Sequence, residues 1–325
     1  MLTQKLIENN VDLNKKIYVA FSGGPDSSAM IHLISKMKTC MKIAPQAIHI
    51  NHNLSDKSDD WESHCKNVCL DLNIDLITQS VQIKSEGGGI ESAARKSRYK
   101  IFKSILKEDE QIILAHHSDD VAETILMRML RGTGVEGIEG PKQKRNLGNG
   151  ILIRPFLEVS KKQILEYLKE NKVDFIEDDS NKDNKFDRNF LRNKIFPLLE
   201  DRWNNFPQRL NKMSSIIQDR NKNYSDLIMN EYQNLIGKEI EIKKLKKVSR
   251  LITCDILRYS IKECNIALPN SKIMEEILKT FLDSNPGPKS IVTWSRSDKE
   301  EDAGKITYEN GFLVISKNSR RKNET

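Results

Sequence analysis

Apolar and polar positions alternate at the start of the chain in a way that predicts a strand: Ile17, Val19 and Phe21 are interleaved with Tyr18 and Ala20. The turn Ser22-Gly23-Gly24 follows, and then a helical pattern opening at Pro25. The same rhythm returns along the first 200 residues. Strands are predicted at Ala47–Asn51, Asp75–Val81, Gln111–Ala115 and, more briefly, Ile151–Arg154. Between them lie a helix opening at Asp59-Asp60-Trp61-Glu62, a helix over Glu91–Leu106 entered through the flexible loop Ser85–Gly89, and a helix over Asp119–Leu130. Strands alternating with helices predict an α/β fold with a mostly parallel sheet flanked by helices. The glycine-rich stretch Arg131–Gly150, with its basic Lys142-Gln-Lys-Arg145, reads as a mobile loop.

Beyond Ser160 the pattern turns helical, with helices expected over Ser160–Glu170, Pro207–Leu235, Leu251–Cys264 and Ser271–Leu282. Ile291–Trp294 and Gly311–Ser316 look like a small closing hairpin, and Asn318–Thr325 reads as disordered. The expected division is a catalytic domain over 1–206 and a smaller, mainly helical C-terminal domain over 207–325.

Composition narrows the class. At 325 residues with 38% hydrophobic content the chain can bury two cores, and no apolar run is long enough to cross a membrane. The first residues lack the layout of a signal peptide, and five cysteines are too few for a disulfide framework, so a reducing cytoplasm is the expected compartment. The net charge of +7 is uneven: 31 basic residues stand against 30 acidic ones up to Arg202, and 22 against 16 beyond it. That excess suits an anionic partner such as RNA, with Lys243, Lys244, Lys246, Lys247, Arg250 and the tail Arg320–Lys322 as candidate phosphate contacts.

The chemistry concentrates at the predicted carboxyl ends of the strands, where ligands of open α/β sheets bind. Ser22, Gly23, Gly24, Pro25, Asp26 and Ser27 form a glycine turn feeding a helix N-terminus, a cradle for phosphate. A Walker lysine is missing from it, and no GxGxxG occurs in the chain. Asp26 beside a triphosphate makes electrostatic sense with Mg²⁺ present. Further polar clusters lie at His49–Asn53, Glu91–Arg95 and His116–Glu123. Asp120 and Glu123 are three apart on one predicted helix face, with Thr124 beside them, and could hold a cationic substrate or a metal.

Ser22-Gly-Gly-Pro-Asp-Ser27 resembles the PP-loop of ATP pyrophosphatases. Taken in order with His49-Ile-Asn-His-Asn-Leu54, Glu91–Tyr99, Ala115–Gly134, Leu152–Leu157, Glu177–Asn181 and Arg188–Asn193, it resembles the tRNA(Ile)-lysidine synthetase family over roughly residues 15–200. The resemblance implies ATP-dependent ligation of free L-lysine to the wobble cytidine of the isoleucine tRNA with a CAU anticodon, by way of an adenylated cytidine. It implies ATP and Mg²⁺ as cofactors, with Asp26 near the metal or the nucleophile. It also implies Asp120 and Glu123 as holders of the lysine, His116 near the reacting base, and Arg95 facing phosphate or base. A homodimer is compatible with it. Ser55 stands where the family commonly has arginine, and the C-terminal part is expected to match the shorter members.

Other readings stay open on sequence alone. A PP-loop tRNA thiolase also adenylates a base, but no CxxC is present to supply sulfur chemistry. A synthetase acting on a small acid leaves the basic second domain without a role. A nucleotide- or RNA-binding protein without catalysis is the third.

Overall fold

The structure is a computed structural model describing residues 2–83, 89–295 and 302–318. Most of the expected entry loop Ser85–Gly89 and the basic tail Arg320–Lys322 lie outside the described residues, as does the predicted disordered end apart from Asn318. The chain folds as two units, the larger drawn from Met1–Ser85 and Ala93–Asp219, the smaller from Glu86–Ser92 and Arg220–Thr325.

The larger unit is built on six strands: β1 (Ile17–Ala20), β2 (Gln46–Asn51), β3 (Asp75–Ser80), β4 (Gln111–Ile113), β5 (Lys144–Leu147) and β6 (Gly150–Ile153). Their order is β3-β2-β1-β4-β6-β5, parallel except for β5. Val19 pairs with Ala47 on one side and Ile113 on the other. Side chains on successive strand positions point to opposite faces, and two cores follow from that. Ile17, Val19, Ala47, Ile113 and Ile153 pack beneath the helices Pro25–Ser35, Ser58–Asp71 and Lys161–Asn171. Tyr18, Ile48, Ile112 and Leu152 pack on the other face with Tyr99 and Phe102 of the helix Gly89–Ile105. The chain builds outward from β1 through β2 to β3 and then crosses to β4, so the strand order reverses beside β1. Such a switch point opens a crevice at the carboxyl edge.

One stretch read as a loop is more ordered. Within Arg131–Gly150, Val135–Ile138 is a helical turn and β5 forms a hairpin with β6. The strand Lys-Arg-Asn-Leu has a single apolar residue and lies at the sheet edge, where charge discourages edge-to-edge pairing and hides the strand pattern. Gly150 is required by contact: a Cβ there would come within 2.5 Å of the Glu110 carbonyl.

The smaller unit corrects the expectation of a mainly helical domain. Besides the helices Arg250–Glu263 and Ser271–Leu278 it holds a four-stranded antiparallel sheet. Its strands are β7 (Glu239–Glu241), β8 (Ile291–Trp294), β9 (Gly304–Glu309) and β10 (Phe312–Lys317), in the order β7-β10-β9-β8. β8 and β10 coincide with the two β-like segments read from sequence, but both pair with β9, which was not foreseen. β7 is three residues long and mostly acidic, and β9 opens at Gly304, so neither shows a strong apolar alternation. Gly304 sits opposite Trp294, whose indole fills the space a side chain would need. Ile240, Leu257, Phe281, Ile306 and Leu313 complete the core. Among the described residues no helix is long and apolar enough to cross a membrane.

Candidate functional site at the sheet switch point

The cradle after β1 is a tight, self-bonded loop. Gly23 adopts φ +81°, a region that strains any residue with a side chain. A Cβ there would also press on Cys65 and Ile176, each at 3.1 Å. The Ser22 amide donates to Ser27 Oγ at 3.2 Å, and Ser27 Oγ donates to the Gly24 carbonyl at 3.0 Å. Pro25 starts the helix Pro25–Ser35 at a position where its missing N–H is no loss. Free amides and the positive end of the helix dipole therefore face the loop.

Crossing from β1 to β4 brings the His116–Glu123 segment beside Asp26. His117 is buried, with its Nε2 3.6 Å from Asp26 and 3.5 Å from Asp120, and its Nδ1 3.4 Å from Asp119. These are ion-pair distances. Burial opposes the charged ring, but the three carboxylates outweigh it and raise the His117 pKa to about 10. His117 is thus an imidazolium at neutral pH. Burial in turn works to raise Asp26, while His117 and Lys161 hold it below its ordinary value. Lys161 Nζ donates to Asp26 Oδ1 at 2.6 Å, and the Lys161 amide donates to Asp119 at 3.0 Å.

Asp120 and Glu123 do share a helix face, but both carboxylates are already partnered. Glu123 is fully buried and accepts from Arg188 Nε at 2.5 Å and from Arg192 Nε at 2.7 Å. Arg188 also reaches Asp120 at 3.1 Å. Thr124 does not join the pair, because its hydroxyl donates back to the Asp120 carbonyl at 2.8 Å. A cavity of about 340 Å³ opens here, with Asp119, Glu123, Lys161 and Arg192 as polar walls and Phe196 and Phe206 as apolar ones.

His116 faces elsewhere. Its Nδ1 accepts from Arg154 Nε at 3.1 Å, and burial with the neighbouring arginines holds its pKa well below the ordinary value, so it is neutral. Arg95 lies over the Tyr99 ring at 4.9 Å. His49 is buried with Nδ1 on the Phe21 carbonyl at 3.0 Å, bracing the end of β1. Arg250 is tied to Glu275 and Asp283, whereas Lys243, Lys246 and Lys247 are exposed and Lys244 pairs with Glu241.

Sequence reasoning singled out His116 and passed over His117 and Lys161. Lys161 carried a signal: a lysine at the first position of a helix opposes the dipole and needs an acidic partner. Arg188 and Arg192 are four apart, a spacing that places both on one helical face.

For Mg²⁺, the fit rests on the donors. Among the described residues no three His, Cys, Asp or Glu side chains could hold a metal ion alone. Mg²⁺ bound with phosphates needs only one or two carboxylates, and Asp26 stands in the first turn of the helix behind the cradle. The residues fit an ion that arrives with its nucleotide.

Comparison with known proteins follows this geometry. The chain is 32% identical over 284 residues to the tRNA(Ile)-lysidine synthase of Legionella pneumophila (strain Lens), covering 87% of this chain and 65% of that protein. It is 34% identical to the tRNA(Ile)-lysidine synthase of Serratia proteamaculans (strain 568), covering 84% and 64%. The chain thus spans just under two thirds of the length of these relatives. The U34-tRNA thiolase NcsA from Methanococcus maripaludis, solved with its [4Fe-4S] cluster, shares the fold at a TM-score of 0.55 and 14% identity, over 66% of this chain and 77% of that one. Residues 2–199 match the family described as a PP-loop domain, a span that includes the whole parallel sheet and the loop at its switch point, and the chain belongs to that family.

Proposed function

We propose that the protein is a tRNA(Ile)-lysidine synthase that uses ATP to join free lysine to a cytidine of an isoleucine tRNA. The observation carrying this reading is that 32–34% identity to proteins of that name runs over 84–87% of the chain, well beyond the PP-loop domain.

The site's own residues support the chemistry. ATP would place its β and γ phosphates on the amides of Ser22–Ser27 and the helix N-terminus behind them. The cytidine O2 would attack the α-phosphorus and break its bond to pyrophosphate, leaving an adenylated base. His117 and Lys161 are fixed cations beside the cradle and offset the charge that develops on the departing pyrophosphate. Asp26 would hold Mg²⁺, which when bound supplies further charge neutralisation on the phosphates. The lysine ε-amine, deprotonated, would then attack the activated C2, expelling AMP. The 340 Å³ cavity offers aromatic walls for the methylenes of lysine and carboxylates for its ammonium. To bind Glu123 there the ammonium must share it with Arg188 and Arg192. Arg95 would contact phosphate or base.

A thiolase reading is less well supported. Sulfur transfer needs a thiolate, and burial pushes both Cys65 and Cys69 up to about 12. The test is AMP release from ATP and Mg²⁺ with bulk bacterial tRNA and each of the twenty amino acids. A signal that needs both tRNA and lysine supports the ligase, and a tRNA-dependent signal indifferent to lysine sinks it.

A further inference from the structure

Two motifs visible in the sequence, Glu177–Asn181 and Arg188–Asn193, meet in the fold, and only the arginines of the second enter the chemistry above. The helical turn Asp187–Phe190 runs directly into a π-helical turn, Leu191–Ile195. Arg188 and Arg192 are four apart, and Asn189 and Asn193 form a second such pair one residue out of step, so the pairs leave the helix in neighbouring directions. The arginines reach Glu123, while Leu191 is buried in the cluster that includes Ala122. The asparagines turn instead to the loop 178–184. Asn189 Nδ2 donates to the Ser180 carbonyl at 2.9 Å and to the Asp183 carbonyl at 3.0 Å. Asn193 Nδ2 donates to the Asn181 carbonyl at 2.9 Å and to Asn184 Oδ1 at 3.1 Å. Each carboxamide thus uses both of its N–H groups. The loop has anchors of its own: Asp178 Oδ1 accepts from the Ser180 amide at 2.9 Å, and the Ile176 amide just before it donates to the Gly23 carbonyl.

Glu123 is fully buried, whereas the side chains of Arg188 and Arg192 are 27% and 38% exposed. Arginines open to water have rotamer freedom to lose, so they orient a carboxylate only as firmly as their backbone is held. We propose that Asn189 and Asn193 are positioning residues for the lysine seat. By pinning the turn 187–195 to the loop 178–184 they fix Arg188 and Arg192 on Glu123 and preset its carboxylate for an ammonium. This rests on the reading that lysine binds at Glu123. Neither asparagine lines the cavity, so both act through the arginines. A preset carboxylate spares the incoming amine an ordering cost, and the loss of that advantage falls on the lysine KM.

The experiment measures lysine KM, ATP KM and kcat from tRNA-dependent AMP release by the full chain. The variants are Asn189→Asp, Asn193→Asp, Glu123→Gln, and Asn193→Asp combined with Glu123→Gln. Aspartate keeps the shape of asparagine and loses its donors. Asn189→Asp and Asn193→Asp should each raise the lysine KM about fivefold and leave ATP KM and kcat unchanged. On the Glu123→Gln background, Asn193→Asp should add nothing, because the carboxylate through which it acts is gone. Thermal unfolding accompanies each variant, and Asn193→Ala takes over if the aspartate variants do not fold. An unchanged lysine KM overturns the proposal. So does an equal rise in ATP KM, or the same fold-change with and without the Glu123 carboxylate, since bonds that merely support the fold would give either. Wild-type AMP release that does not need lysine sinks the ligase reading and this proposal together. Lysine-dependent release that Asn189→Asp and Asn193→Asp leave unaltered sinks the positioning role alone.

Discussion

His116 and His117 are adjacent in the chain and sit in opposite fields. His117 is ringed by the carboxylates of Asp26, Asp119 and Asp120 and carries a proton. His116 faces Arg154 with Arg98 and Arg95 nearby and is neutral. One residue of extended backbone separates a region where acids enclose a cation from one where cations enclose a phenol. The first region is compensated internally, so its groups are held in place before any ligand arrives. The second sets the guanidiniums of Arg95, Arg98, Arg145 and Arg154 around the Tyr99 ring. Two unlike electrostatic environments therefore meet at one pair of neighbouring residues.

The largest expected effect breaks the acid ring at its shared member. Asp26→Ala should lower tRNA-dependent AMP release at least about 100-fold, because it unpairs Lys161 and His117 beside the cradle. Activity within a few-fold of wild type would mean that the ring is scaffolding only.

Next comes Glu123→Gln. It removes the buried carboxylate that Arg188 and Arg192 share and should destabilise the fold by roughly 2 kcal/mol in urea unfolding. That figure is below the one for full burial because Arg192 is 38% exposed. The same variant should raise the lysine KM more than it lowers kcat. A KM left untouched would remove Glu123 from the lysine pocket.

A smaller effect separates the two histidines by pH. His117 keeps its proton to about pH 10 in the folded protein and loses it near 6.5 when unfolded, so its contribution is complete below pH 6.5 and is lost as pH rises toward 10. Stability should fall by roughly 1 kcal/mol per pH unit across that window, and His117→Asn should flatten the slope. A slope that survives His117→Asn would assign the titration to another group.

The smallest effect is spectroscopic. Tyr99 should ionise before Tyr18, Tyr167, Tyr224 and Tyr232, which are all shifted up. Tyr99→Phe should delete a tyrosinate signal that precedes those of the raised phenols in an ultraviolet titration. If that signal remains, the arginine field is weaker than the geometry indicates.

What could be read from sequence was what depends on local pattern. The strand Ile17–Ala20, the glycine turn and the helix from Pro25 follow from alternation, φ freedom and proline placement, all properties of neighbouring residues. The cap of Lys161–Asn171 was equally legible, with Ser160 accepting from the Gln163 amide. Asp120 and Glu123 were legible as a pair, but their partners were not, because Arg188 and Arg192 lie 65 or more residues away. Lys161 and Asp26 are 135 residues apart and meet because the helices Pro25–Ser35 and Lys161–Asn171 pack together on one face of the sheet. The basic loop before Gly150 misled for a related reason: an edge strand keeps polar residues on its open side, so its pairing leaves little trace in composition.

The Gly23 carbonyl accepts a hydrogen bond from the Ile176 amide at 2.8 Å, and no side chain fits at Gly23 without pressing on Ile176. The loop that emerges first from the ribosome is therefore closed by a segment made about 150 residues later. Until that segment and Lys161 have left the exit tunnel, a nascent chain holds the glycine turn without its clamp and Asp26 without its ammonium partner. The cradle therefore gains its clamp only in a chain synthesised past Ile176.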